Sequence, residues 1–153
     1  MAIQCIRAGR DDLGRIASLF DAYRIFYGQR SDPPSAHAFI AERLRDEDSL
    51  ITLAVDETDS ALGFAQAYPF LSSVAMRPIW VLNDLYVCTD HRRKGVGRAL
   101  LEDMVARGRA AGVARLELAT AADNAVAQQV YEACGWQHSG FVQYIFGLDD
   151  DKE

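Results

Sequence analysis

Residues 80–101 read WVLNDLYVCTDHRRKGVGRALL. The segment opens on apolar and β-branched residues, Ile79, Trp80, Val81, Leu82, Leu85, Tyr86 and Val87, which predict a strand. After the polar connection Thr89-Asp90-His91 comes Arg92-Arg93-Lys94-Gly95-Val96-Gly97-Arg98, and then Leu100, Leu101, Met104, Val105 and Ala111 recur at helical spacing. Strand, basic glycine loop, helix: this order aims the free backbone N–H groups of a helix start at whatever lies beyond the strand. Those donors and the helix dipole favour an anion, each dipole contact contributing about 0.3–1 kcal/mol. Gly95 and Gly97 let a ligand approach the backbone without meeting a Cβ. Four positive side chains within seven residues reverse the sign of a chain whose net charge is −6. The segment reads as a phosphate cradle; the competing reading is a solvated basic turn whose glycines serve packing.

Two common cradles are excluded. A Walker loop needs Gly-Lys-Ser/Thr, but Lys94 precedes Gly95 and no Ser or Thr follows. A dinucleotide fingerprint needs a third glycine at position 100, which is Leu100. What remains, Arg92-x-x-Gly95-x-Gly97 between a strand and an amphipathic helix, resembles the pyrophosphate loop of the GNAT superfamily of acyl-CoA-dependent N-acetyltransferases, Gln/Arg-x-x-Gly-x-Gly/Ala.

The chain has 153 residues, enough for one domain with a real core. Half apolar and a quarter charged is an ordinary soluble composition. The start, Met1-Ala2-Ile3-Gln4-Cys5, shows no secretory pattern, and no apolar run approaches the roughly 20 residues that span a bilayer. Three scattered cysteines, Cys5, Cys88 and Cys134, suggest reduced thiols and a cytoplasmic location. With His37, His91 and His138 they form no metal-ligand spacing, so no metal is expected. The acidic balance argues against nucleic acid and allows attraction of cationic amines.

Outward from the central segment, residues 3–7 predict a first strand. Asp11 and Asp12 begin a helix carrying Leu13, Ile16, Ala17, Phe20 and Tyr23 on one face. Its aromatic end, Tyr23, Phe26 and Tyr27, either packs in the core or lines an acceptor pocket. Asp32 or Ser35 caps a short second helix through Phe39, Ile40 and Leu44. Residues 50–55 and 62–68 form an antiparallel hairpin, and residues 69–78 an irregular loop. Gly112 stops the central helix, and residues 115–119 form a parallel fifth strand through a right-handed crossover. Asp123-Asn124 caps a helix through Ala127, Val130 and Tyr131 that Gly135 ends. Residues 141–146 form the last strand, ahead of a disordered acidic tail.

The resulting order βααβββαβαβ predicts an α/β (α+β) fold with one mixed sheet flanked by helices. This is also the GNAT layout. Asn124-x-x-Ala127-x-x-x-Tyr131, continuing to Gly135-Trp136, resembles that family's cofactor-side helix, and Leu82-Asn83-Asp84-Leu85-Tyr86-Val87 resembles the strand that holds acetyl-CoA. The resemblance implies a central six- to seven-stranded sheet with about four helices, one domain over residues 1–148, a tail over 149–153, and acetyl-CoA as cosubstrate.

It also implies roles. The backbone of Leu85, Tyr86 and Val87 would bind the pantetheine arm and polarise the acetyl oxygen. Arg92, Arg93, Lys94, Gly95, Val96, Gly97 and Arg98 would take the pyrophosphate, with Asn124 and Ala127 on the opposite wall. Tyr131 would protonate the departing thiolate, since a phenol of pKa near 10 still holds its proton at pH 7; alternatively it is a core aromatic. Polyamine-acetylating members carry Leu-Glu-Asp where this chain has Leu82-Asn83-Asp84, so the base is Asp84 or a water relay. Asn83 would orient a water or the amine, and Tyr27 would help line the acceptor pocket. The expected function is acetyl transfer to a primary amine of a small molecule: a polyamine, amino acid or aminoglycoside. The alternatives are a non-catalytic acyl-CoA-binding module and a protein N-acetyltransferase. The resemblance allows a homodimer without showing an interface.

Overall fold

The computed structural model describes residues 1–149, which run β1 (Gln4–Arg7), α1 (Leu13–Phe26), α2 (Pro33–Asp46), β2 (Leu50–Val55), β3 (Ala61–Ser72), β4 (Arg77–Val87), α3 (Val96–Ala111), β5 (Leu116–Glu117) and α4 (Ala125–Ala133). The strands form one sheet in sequence order, antiparallel from β1 to β4 and parallel between β4 and β5. The mixed sheet and four helices agree with expectation, but the described residues form five strands and not six or seven.

Local chemistry sets the helix ends. Asp32 caps α2: its Oδ1 accepts from the Ser35 N–H at 3.2 Å, and Pro33 begins the first turn, where no N–H is needed. The helix is longer than the short one expected, reaching Asp46. Residues 10–12 make a single 3-10 turn before α1, with Asp12 accepting from the Gly9 N–H at 2.9 Å. Buried Asp21 accepts from Ser31 Oγ at 2.7 Å and the Asp32 N–H at 2.8 Å, which fixes the α1–α2 connection.

The sheet is covered on both faces, and β2 and β3 are accordingly apolar on both. Ile16, Phe20 and Ile40 from α1 and α2 pack on Leu53 and Phe64. Leu100, Leu101 and Met104 of α3 pack on Leu62, Ala65 and Leu82. Gly63 permits the close approach of β3 to β4, because a Cβ there would stand 2.5 Å from the Tyr86 carbonyl oxygen. Gly63→Ala should therefore cost about 1–3 kcal/mol, the usual range for overpacking, read as a lowered denaturant midpoint.

Three expectations need correction. Residues 69–78 are not an irregular loop: β3 and β4 stay paired from Pro69↔Trp80 to Ser72↔Arg77. Pro69 is tolerated because β2 pairing stops at Ala67, leaving that edge of β3 free. The strand expected over 115–119 pairs only at Leu116 and Glu117, since β5 parts from β4 beyond Val81. Residues 141–146 join no ladder and lie exposed, so the expected last strand is absent from this sheet. The acidic tail expected to be disordered falls, from residue 150 onward, outside the described residues.

Candidate active site

β4 is paired with β3 as far as Val87, whereas β5 pairs only with Trp80 and Val81. From Leu82 to Val87 the edge of β4 turned away from β3 thus has no ladder partner among the described residues. The open edge holds a row of backbone donors and acceptors at the centre of the fold. The register also slips here: Gln66 faces Asp84 and Ala67 faces Leu82, leaving Asn83 as an extra residue. This bulge changes the parity of the strand. Leu82 packs on the α3 side, while Asp84, opposite Gln66, lies on the other face.

A small cleft opens beside this edge. Leu82, Asn83 and Leu85 of β4 form its floor, and Tyr23 and Tyr27 of α1 one wall. The other wall is Leu118 and Ala119 beyond β5, with Tyr131 of α4. Four of the predicted site residues, Tyr27, Asn83, Leu85 and Tyr131, thus meet in one place. Asn124 caps α4 with its own side chain, its Oδ1 accepting from the Ala127 N–H at 3.2 Å. That cap sets the helix so that Tyr131 reaches the cleft and lies 6.5 Å, ring to ring, from Trp136. Burial, with Tyr27 nearby, pushes the Tyr131 phenol above its ordinary value, so it stays protonated at neutral pH.

Asp84 is buried at 4% exposure behind this floor. Gln66 Nε2 donates to it, and Ser49 Oγ in turn donates to Gln66 Oε1 at 2.7 Å, which fixes the amide orientation. Tyr23 lines the cleft, donates its hydroxyl to the Asn83 carbonyl at 3.1 Å, and also interacts with the Asp84 carboxylate. Burial raises the Asp84 pKa above the ordinary carboxylate value, against the opposing hydrogen bonds from Gln66 and Tyr23. A buried carboxylate so shifted accepts a proton more readily than an exposed one.

The loop from β4 to α3 makes a 3-10 turn, Thr89–His91, and then passes through left-handed Arg93 (φ 63°) and Gly95 (φ 85°). Gly95 is the N-cap of α3 and provides no side-chain hydrogen bond, so the first N–H groups of the helix are free for a ligand. Val96, 1% exposed, anchors this start in the core, and a Cβ on Gly97 would already touch Val87 at 3.7 Å. The cationic residues divide. Arg92 donates from Nε to the Val87 carbonyl at 3.0 Å and lies over the Phe26 and Tyr86 rings, 5.2 and 5.5 Å from their centroids. Arg98 pairs with Glu102 at 3.1 Å, whereas Arg93 and Lys94 form no ion pair among the described residues.

Sequence reasoning missed Gln66, Leu118 and Ala119. Gln66 had a signal: it is the one polar residue in the otherwise apolar run LGFAQAY, residues 62–68. Leu118 and Ala119 had none, because their place depends on the divergence of β5. A larger depression, lined by Arg7, Arg10 and Arg43 among others, lies where β1, β2 and α2 meet and contains none of these groups. Among the described residues no three His, Cys, Asp or Glu side chains cluster as a metal would require, and no helix is long and apolar enough to cross a membrane.

Comparison with known proteins adds an independent line. The Acetyltransferase (GNAT) family model matches residues 16–136. The uncharacterised N-acetyltransferase YhfO of Bacillus subtilis is 40% identical over 143 residues, covering 93% of this chain and 95% of its own. The crystal structure of a probable acetyltransferase superposes with a TM-score of 0.91 at 39% identity, over 97% of this chain and 99% of that one. An aminoglycoside N(6')-acetyltransferase type 1 of Acinetobacter genomosp. 13 is 26% identical over 118 residues, 74% of this chain and 81% of its own.

Proposed function

This chain belongs to the GNAT acetyltransferase family, and from that premise we propose that it transfers the acetyl group of acetyl-CoA to a primary amine of a small molecule. The observation that carries this reading is the open β4 edge, with the Tyr131 cleft along Leu82–Leu85 and the uncapped start of α3 beside Val87.

The residues fit the cosubstrate. Free N–H groups at the start of α3, with Arg93 and Lys94 beside them, suit a pyrophosphate. Asn124 and Ala127 bound the opposite side. The open edge of β4 at Leu85 to Val87, where the Val87 carbonyl also accepts from Arg92 Nε, suits the amides of a pantetheine arm and would polarise the thioester carbonyl. Arg92, by contrast, fastens the loop to α1 and the end of β4.

Chemistry then needs a neutral amine and a protonated leaving group. Asp84 takes the ammonium proton, with the Tyr23 hydroxyl between it and the cleft, and Asn83 orients the amine. The nitrogen lone pair forms the bond to the acetyl carbon, the carbon–sulfur bond breaks, and Tyr131 gives its proton to the thiolate. The second nitrogen proton, shed as the amide forms, returns to Tyr131, and Asp84 releases the first to solvent, so one proton leaves the site per turnover. The faces of Tyr23, Tyr27 and Tyr131 favour a cationic acceptor, and the relative named for aminoglycosides points to a polyamino substrate of that kind.

An acceptor screen tests the reading: polyamines, amino acids, aminoglycosides and an alanine-terminated peptide, each with acetyl-CoA, read by free thiol. A small amine should raise thiol release far above the amine-free rate. Release unaffected by every amine would contradict the enzyme reading, and release with the peptide alone would move the substrate to proteins. Gly97→Val should weaken acetyl-CoA binding by roughly tenfold or more in calorimetry, because branched methyls enter the space against Val87 that the ligand needs. Unchanged affinity in the folded variant would place the pyrophosphate elsewhere.

A further inference from the structure

Asp84 is a buried carboxylate whose charge no cation offsets among the described residues. The groups that hold it are neutral. Gln66, fully buried on β3, donates from Nε2 to Oδ2. Asn83 Nδ2 stands 3.4 Å from Oδ1, on the side of the cleft. Tyr23 of α1 adds its hydroxyl. Tyr68 of β3 feels the same charge, and beyond it come Arg43 of α2 and Asp48, which pair with one another at 2.8 Å. Burial, with the charge of Asp84 adding to it, pushes both phenols up, so each keeps its proton at neutral pH. Asp84 is left as the buried group that titrates.

An amide can be set either way round, and here the choice is made from outside the cleft. Ser49, in the turn between α2 and β2, donates its Oγ–H to Gln66 Oε1 at 2.7 Å, which leaves the NH2 end for Asp84. The ladder pairs Ile51↔Gln66 and Gln66↔Asp84 bring that turn, Gln66 and Asp84 into one row across the sheet. Ser49 lines the larger depression and not the cleft. Stability does not explain the row. Replacing both partners of a buried hydrogen bond by apolar groups of the same shape is nearly neutral or stabilising, and the β3 neighbours Phe64, Ala65 and Ala67 are apolar and buried.

We propose that Gln66 is a positioning residue for the acetyl transfer, locked by Ser49: its amide holds Asp84 Oδ2 and leaves Oδ1, on the Asn83 side, to take the ammonium proton. The role rests on the reading of Asp84 as the base. An NH2 group can only donate, so Gln66 favours the ionised carboxylate that must be in place before the amine arrives. Ser49 enforces that donation. A flipped amide would set Oε1 against the carboxylate, two acceptors with no proton between them.

The test titrates Asp84 directly, through the 13C shift of its side-chain carboxyl, and beside it records the pH profile of kcat/KM with a competent amine. Gln66→Leu should raise the midpoint and move the acidic limb to higher pH by about one to two units, the usual worth of a hydrogen bond to a charged group. Ser49→Ala should move both in the same direction by less, although Ser49 does not line the cleft. Ser49→Thr, which keeps the hydroxyl, should restore the wild-type values. Should Gln66→Leu fail to fold, the two serine variants decide alone. A midpoint that stays in place overturns the role of Gln66 and leaves Asp84 standing as the base. A midpoint that moves while the limb stays removes Asp84 as the base, and the positioning role with it. Equal shifts in Ser49→Ala and Ser49→Thr would overturn the lock.

Discussion

Tyr131→Phe is expected to lower the single-turnover rate with a competent amine by about 10²–10⁴-fold, the usual contribution of a positioned general acid. Acetyl-CoA affinity should scarcely change, because the hydroxyl acts on sulfur only as the thiolate departs. Folding should also be almost unaffected. The ring keeps its place beside Trp136, and the phenol pKa is moved by burial and Tyr27, with no hydrogen bond contributing. The predicted change in stability is therefore within about 0.5 kcal/mol. A purely structural tyrosine would show the reverse, full rate with altered stability. A rate within about threefold of wild type removes Tyr131 from the mechanism.

Asp84→Asn should lose rate on a similar scale, about 10²–10⁴-fold, while the protein becomes no less stable at neutral pH. Asparagine has the same shape and still accepts from Gln66 Nε2. Burial raises the carboxyl pKa in the folded state, so the folded protein holds this proton more readily than the unfolded chain. The stabilising contribution of Asp84 is thus fully present below its ordinary value of 3.8 and is lost as pH rises through the folded value. Asparagine does not titrate, so the stability of the variant relative to wild type should grow from acid toward neutral pH in denaturant melts. Its rate should lose the acidic limb that the wild type shows as Asp84 deprotonates. A stability difference running the opposite way would mean that Asp84 gains from ionisation in the fold, and its role as a base of raised pKa would fall.

Features depending on a few neighbouring residues were legible before the structure. Asp32 and Asn124 are caps because a short oxygen-bearing side chain lies three residues before a free N–H. The strand–glycine–helix order at residues 80–101 was legible for the same reason, and with it the parallel crossover to β5. Contacts between distant segments were not. Arg92 reads as one more cation of a phosphate loop, and only the approach of α1 puts its guanidinium on Phe26 and Tyr86. The bulge at Asn83 carries no turn signal, yet it decides that Leu82 and Asp84 look to opposite sides of the sheet. Residues 141–146 carry a strand's apolar pattern, but a pattern does not specify a partner, and among the described residues they join no ladder.

Amide chemical shifts of the labelled protein, followed as acetyl-CoA is added, test the location of the reaction most directly. The largest changes should fall on Leu85, Tyr86 and Val87 at the open edge of β4, on Gly95, Val96, Gly97 and Arg98 at the start of α3, and on Tyr131. Changes confined to Arg7, Arg10 and Arg43 around the other depression, with the β4 edge and the start of α3 unmoved, would contradict the account.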